Sequence, residues 1–373
     1  MVKTSILVNT ILLGCLLTTG NSQAFFYSAV VFQSGRITAS PWLEADALFH
    51  NDPRWLGGDD AYSIDLGHGR VLWLFADSFI ATSPANTRRE SKIIRNSVAI
   101  QQGYDPSSAK IKFYWKGGGR NPASFFGEQK GEWYWPGHGI RLGNKLIIFL
   151  MKVRKVETGL GFEVFGWRAV SIENPDDDPS AWQIKTLETP QNDYRVIIGS
   201  ASILRDENYL YAFSAEETSG HNVFIVRWPI NEAANDNLKY PQWWISSSHK
   251  WIRQQELKEL PAPVLTGAQT EFTVHFDSKR RQFIQIQTVG FGAADLAMRR
   301  AGNITGDWTE PEKFYRPEES NRRDALVYAG KAHAELMGAD LVLTYVVNSN
   351  QFKTLVNDSS IYYPRFLKGR LHP

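Results

Sequence analysis

Gly57-Gly58-Asp59-Asp60-Ala61-Tyr62-Ser63-Ile64 and Leu72-Trp73-Leu74-Phe75-Ala76-Asp77-Ser78 flank a short turn, Gly67-His68-Gly69. Glycines around one polar residue make a natural hairpin loop. The first segment is glycine-led and partly polar. The second is almost wholly apolar, as a strand buried on both faces is. If 67–69 is a three-residue loop, Asp59 faces Asp77; if His68-Gly69 alone makes the turn, Asp60 faces it instead. Directly opposed residues share a face, with Cβ atoms roughly 4.5–5.5 Å apart. Like charges so placed repel, so stability gives no reason for the pair. Two readings stay open: paired carboxylates for glycoside hydrolysis, or a structural calcium or hydrogen-bonded pair.

The same unit recurs along the chain. A polar or glycine-led strand, a tight turn and an apolar strand return at Pro136–Leu142 with Lys145–Val153, and at Ile198–Leu204 with Tyr209–Glu216. They return again at Glu271–Phe276 with Gln282–Thr288, and at Lys331–Leu336 with Ala339–Val346. The second strands begin near 71, 145, 209, 283 and 341, which leaves room for two further strands per unit. Arg168–Ile172 and Asn222–Trp228 are such strands, and no long capped helix interrupts them. Five four-stranded units predict an all-β fold, a five-bladed β-propeller. It forms a single domain over 25–373; a two-domain β-sandwich protein is the alternative. The run Phe26–Phe32 is expected to close the ring by pairing near Ile361-Tyr362-Tyr363.

In a propeller the innermost strands line a channel, and their equivalent ends meet at one mouth. The strand starts are Asp59 and Asp60, Gly137-His138, Gly199-Ser200, Thr270-Glu271, and Lys331 with His333. Asp60, His138, Glu271 and His333 are therefore candidate substrate-binding or auxiliary groups. A carboxylate at Glu271 could tune the pKa of a partner; a surface salt bridge is the competing use. Asn96, in Arg95-Asn96-Ser97, offers an amide to a sugar hydroxyl. Trp135, with Trp133 nearby, is a stacking platform for a sugar ring or a core residue.

Residues 1–24 of the 373 read as a secretory signal peptide. Lys3 precedes the apolar Ile6-Leu7-Val8 and Ile11-Leu12-Leu13, and Ser22-Gln23-Ala24 offers a cleavage site before Phe25. The expected location is secreted or periplasmic. Leu12-Leu13-Gly14-Cys15 also fits a lipoprotein box, so a membrane-anchored lipoprotein through Cys15 is the alternative. Cys15 is the one cysteine, which excludes disulfides and thiol chemistry from a mature chain. A net charge of +2 supplies no footprint for nucleic acid. The 13 Trp, 14 Tyr and 21 Phe suit a β-rich core and sugar stacking. Eight scattered histidines without paired spacing predict no metal cofactor beyond a structural calcium. There is no Gly-x-Ser-x-Gly elbow, and Gly117-Gly118-Gly119 lacks the Lys-Ser/Thr of a phosphate loop.

The first hairpin resembles the opening signature of a family of five-bladed propellers formerly labelled a domain of unknown function, which includes endo-D-arabinanases acting on mycobacterial-type arabinan. That family's pattern is a Gly-Asp-Gly-Ala-Tyr-Ser strand followed by Leu-Trp-Leu-Phe-Gly-Asp-Thr. Arg95-Asn96-Ser97-Val98-Ala99 and Trp135-Pro136-Gly137-His138-Gly139 look like its next segments, and Gly306-Asp307-Trp308-Thr309-Glu310-Pro311 is similar to a blade motif of other five-bladed glycosidases. The chain departs from the pattern at Asp60, Ala76 and Ser78, where the family has Gly, Gly and Thr. The resemblance implies that Asp59 and Asp77 are the catalytic pair. It also implies a secreted glycoside hydrolase cutting a furanose-rich polysaccharide, with D-arabinan the favoured substrate. The alternatives are a non-catalytic carbohydrate-binding propeller and a glycosidase acting on L-arabinan or a fructan.

Overall fold

The computed structural model describes residues 30–31, 37–129, 131–159, 161–191, 194–217, 220–290 and 292–372. The expected signal segment and Cys15 lie outside the described residues.

Five antiparallel sheets form five blades. Each opens with one of the expected hairpins: Trp55–Gly67 with Arg70–Ala81, Glu132–Leu142 with Lys145–Lys155, Val196–Arg205 with Tyr209–Glu216, Thr273–Asp277 with Gln282–Val289, and Ala325–His333 with Leu341–Ser349. The first strand of every hairpin is innermost and touches its counterparts in both neighbouring blades, which closes a ring. The chain is a five-bladed β-propeller.

Of the expected closing segment, residues 26–29 and 32 lie outside the described residues, and at Val30–Val31 the expected pairing is corrected. Ile37–Pro41 pairs with Arg365–Leu371, from Ile37 opposite Leu371 to Pro41 opposite Leu367, and so supplies the outermost strand of blade five. Val30–Val31 pairs instead with Tyr315 and Arg316 of blade four. Tyr362 and Tyr363 precede Arg365–Leu371 and pack in the core.

Alternation along the second strands explains the continuous apolar runs. Successive side chains point to opposite faces, and in a propeller both faces are covered. Leu72 and Leu74 pack toward blade two, while Trp73 and Phe75 pack toward blade five. Leu146, Ile148 and Leu150 face blade one, and Ile147 and Phe149 face blade three. One apolar seam thus joins each pair of blades. Removing water from these seams, at roughly 25 cal/mol per Å² of apolar surface, is the main force holding blade to blade.

Near the axis the inner strands break register together. The breaks fall around Gly58 to Tyr62, between Pro136 and Gly139, between Ile197 and Ser202, and between Tyr328 and Lys331. Glycines let the crowded strands pass. A Cβ on Gly137 would lie 2.4 Å from the Gly199 carbonyl oxygen of the next blade.

Candidate active site

The turn of the first hairpin sets the register Ile64 opposite Leu72 and Tyr62 opposite Leu74, as a three-residue loop requires. Two irregularities then offset each other. Ala61 is extra on the first strand, so Asp60 pairs with Phe75; the step Ala76-Asp77 is extra on the second, so Gly58 pairs with Ser78. Asp59 therefore stands across from the Ala76-Asp77 step. Asp60 and Ala61 adopt left-handed backbone, with φ of 72° and 59°. Such residues are strained by ~1–3 kcal/mol each, and strain of this kind gathers at functional sites. Here it turns two adjacent aspartates in different directions.

Asp59 is half-buried at the mouth. Its Oδ2 accepts from the Tyr328 hydroxyl at 2.7 Å, and its Oδ1 has no hydrogen-bond partner. Burial, then the charges of Asp77 and Glu271, push its carboxyl up to about 8; contacts with Tyr328 and Tyr362 work against the rise. Asp59 is thus a carboxylic acid at neutral pH.

Asp77 is gripped from two other sides. Its Oδ2 lies 3.0 Å from Arg95 Nη1, and its Oδ1 accepts from Trp135 Nε1 at 2.9 Å. The Tyr362 hydroxyl donates to its main-chain oxygen at 3.1 Å. Burial raises this carboxyl too, but Arg95 and Trp135 pull it back. The Arg95 guanidinium itself stacks 4.3 Å from the centre of the Trp133 ring. One carboxyl is held among tyrosines and carboxylates, the other against a cation. Such unlike environments are what one acid and one base require of two carboxyl groups.

The remaining expected residues divide. Trp135 is at the site, but as a hydrogen-bond donor to Asp77. Glu271 reaches the mouth, its side chain 24% exposed and its Oε2 at 2.8 Å from Lys331 Nζ. Asp60 lies behind the mouth, 1% exposed, with Oδ1 3.0 Å from Lys331 Nζ and no directed hydrogen bond to either oxygen. Of the two uses expected of it, substrate-binding or auxiliary, this buried placement corresponds to the auxiliary one.

Asn96 is a clamp within the protein. Its amide donates to the Phe126 and Tyr134 carbonyls at 3.1 and 2.8 Å, and its oxygen accepts from the Phe126 N–H at 2.6 Å. Nothing is left for a sugar. His138 is spent similarly: Nδ1 accepts from the Ile203 N–H at 2.9 Å, which leaves Nε2 to donate to the Ser63 carbonyl at 3.1 Å. It ties blades one, two and three, and burial holds it down to about 4, neutral.

His333 is buried at the far end of its strand, bonded to Ser63 Oγ and, at 2.8 Å, to Thr344 Oγ1. The strand start expected at Lys331 is corrected. The strand begins at Ala325, six residues before Lys331, so the blade-five residue level with Asp59 is Tyr328. Tyr328 and Tyr362 are the site residues that the sequence reading missed. The alternation of Ala325-Leu326-Val327-Tyr328 would have exposed the first of them.

Among the described residues, no group of three or more His, Cys, Asp or Glu is arranged to hold a metal ion. No described helix is long and apolar enough to cross a membrane.

The sequence profile of the family described as Domain of unknown function (DUF5005) matches residues 43–369. No curated protein matches the chain. Among solved structures, a hydrolase candidate from Bacteroides ovatus shares the fold, with a TM-score of 0.73 at 18% identity over 91% of this chain and 93% of that one. The catalytic domain of the Coprinopsis cinerea GH62 α-L-arabinofuranosidase aligns at TM-score 0.47 and 11% identity, over 89% and 96% of the two chains. An endo-arabinase from Bacteroides thetaiotaomicron aligns at 0.45 and 13% identity, over 83% and 93%. These similarities bear on the fold alone.

Proposed function

For this chain, which belongs to the family described as Domain of unknown function (DUF5005), we propose glycoside hydrolysis from the site itself. One observation carries the reading: Asp59 and Asp77 meet at the propeller mouth, with Asp59 kept protonated and Asp77 gripped by Arg95 and Trp135. Hydrolysis of a glycosidic bond needs one carboxylic acid to protonate the leaving oxygen and one carboxylate on the other side of the bond. Asp59 is the acid, donating its proton as the bond breaks. Asp77 is the base that activates water, or the nucleophile. Arg95 and Trp135 work against the rise that burial imposes on Asp77, while burial and the neighbouring carboxylates hold the proton on Asp59, the division that an acid and a base need.

The substrate is a furanose-rich polysaccharide, and D-arabinan cut internally is the favoured case. The support for this finer choice is the signature of the first hairpin, Gly57 to Ser78, and its likeness to endo-D-arabinanases. The signal-like residues 1–24 support export, free or anchored through Cys15.

The test is release of reducing ends from mycobacterial arabinogalactan, with L-arabinan as control, by wild type, Asp59→Asn and Asp77→Asn. Both variants should lose at least ~10³-fold in rate, since removing one member of an acid–base pair removes its whole step. Wild-type activity in either variant sinks the assignment. A wild type that binds glycan but cuts none turns the protein into a binding propeller.

A further inference from the structure

A buried ion cluster lies behind the two aspartates and takes no part in the step just described. Lys331 is 0% exposed. Its Nζ donates to the Asp60 main-chain oxygen at 2.7 Å and to Glu271 Oε2 at 2.8 Å, and lies 3.0 Å from Asp60 Oδ1. The same nitrogen sits 4.2 Å from the centre of the Tyr62 ring. A buried lysine with two carboxyl groups adds little stability over well-packed apolar residues of the same size. Stability therefore gives no reason for the cluster. It also stands on the strained pair Asp60 and Ala61.

The three charged groups differ in exposure. Lys331 and Asp60 are sealed, whereas Glu271 opens on the mouth beside Asp59. The ammonium group gives two of its three N–H bonds to the Asp60 main-chain oxygen and Glu271, with Asp60 Oδ1 and the Tyr62 ring beside it. It cannot follow Glu271 outward, so it tethers one oxygen of that carboxylate from behind. At the mouth Asp77 is already engaged by Arg95 and Trp135, and Asp59 holds a proton in the reading above. A carboxylate held in place before substrate arrives loses no freedom on binding, and so binds a hydroxyl more tightly than a mobile one.

We propose that Lys331 is a positioning residue that fixes Glu271 at the mouth, where Glu271 accepts a hydroxyl of the sugar whose glycosidic bond lies between Asp59 and Asp77. The proposal rests on the glycosidase reading above. The ligand class is a polyhydroxylated sugar ring, and the contact is made in the ground state as well as in the transition state.

Steady-state kinetics on mycobacterial arabinogalactan test it. Glu271→Gln keeps an oxygen for Lys331 but weakens the acceptor. It should lower kcat/KM about 10-fold or more, mainly through a raised KM, because a hydrogen bond to a charged group is lost from both states. Lys331→Met should do the same, and should add less than about twofold in a Glu271→Gln background, since coupled residues are non-additive. Removing Lys331 leaves the buried Asp60 carboxyl without its cation, so the comparison is repeated in an Asp60→Asn background, where Lys331→Met/Glu271→Met against Glu271→Met reads the same coupling. Glu271→Gln within about twofold of wild type overturns the proposal, as does a double variant more than about tenfold below Glu271→Met. If wild type is active and Asp77→Asn inactive while Glu271→Gln is unaffected, this inference alone fails. If wild type cuts nothing, the glycosidase reading fails and takes this one with it.

Discussion

The Tyr328 hydroxyl donates to Asp59 Oδ2 at 2.7 Å, and so joins blade five to blade one at the mouth. This bond holds the acid's carboxyl while leaving Oδ1 without a protein partner. Asn348 Nδ2 in turn lies 3.3 Å from the same hydroxyl and fixes its direction. Tyr328→Phe removes the donor and keeps the ring. Tyr328 lowers the Asp59 pKa, so the variant should shift the alkaline limb of the kcat/KM profile to higher pH and reduce the rate about tenfold. Stopped assays across the pH range read both effects.

Asp59 also sets where activity and stability respond to alkali. Its folded pKa is about 8 against an ordinary 3.8. Around it stand Asp77 on the second strand of blade one, Glu271 of blade four, and Tyr328 and Tyr362 of blade five. The folded protein holds a proton that the unfolded chain releases between about pH 4 and 8, so Asp59 progressively costs stability as pH rises through that window. The rate should fall above about pH 8. Asp59→Asn should raise the urea midpoint relative to wild type more at pH 8 than at pH 4, and an equal gain at both would contradict the assignment.

Arg95 and Trp135 act on the other carboxyl. Both lower the Asp77 pKa. Arg95→Met removes a cation at 3.0 Å and should move the acid limb of the profile upward, because Asp77 must lose its proton to act. Trp135→Phe removes one neutral donor and should shift the same limb less, by less than about one pH unit. An unchanged acid limb in Arg95→Met would show that Asp77 does not control it.

Three histidines make the fold sensitive to acid. His138 and His275 are held down to about 4, and His333 lies well below the ordinary value, in each case first through burial. The unfolded chain takes up protons near pH 6.5 that the folded protein refuses, so stability falls as pH drops from about 6.5 toward 4. His138→Gln should flatten that fall while lowering stability at pH 7, since it disturbs the bonds to Ser63 and Ile203. Urea melts at several pH values measure the slope.

Gly137→Ala tests the crowding at the axis. The added methyl would meet the Gly199 carbonyl oxygen at 2.4 Å and the Ser200 Cα at 3.2 Å, both main-chain atoms that cannot turn aside. Overpacking of this kind costs about 1–3 kcal/mol or more. Urea unfolding should show that loss, and a neutral outcome would mean that blades two and three can separate without penalty.

The sequence by itself determined the architecture and pointed to the candidate pair. Runs such as Leu72 to Phe75 and Leu146 to Leu150 are apolar on both faces, and strands covered on both sides in five repeated hairpins have few homes other than a propeller. The Gly67-His68-Gly69 turn fixed the register near it, and so brought Asp59 toward Asp77. Those are local facts, carried by period-two alternation and turn chemistry. The tertiary structure decided everything that depends on how inner strands meet at the axis. Two offsetting irregularities separated Asp59 from Asp60, and no local pattern marks which way a strained backbone turns a side chain. Asn96 and His138 proved to be clamps because backbone groups from other blades claim their polar atoms. Tyr328 and Tyr362 reached the aspartates from some 270 to 300 residues away along the chain. Closure of the ring, between Ile37–Pro41 and Arg365–Leu371, brought them there. Contacts across such distances are set by the packing of whole blades, and that is a property of the fold rather than of any segment within it.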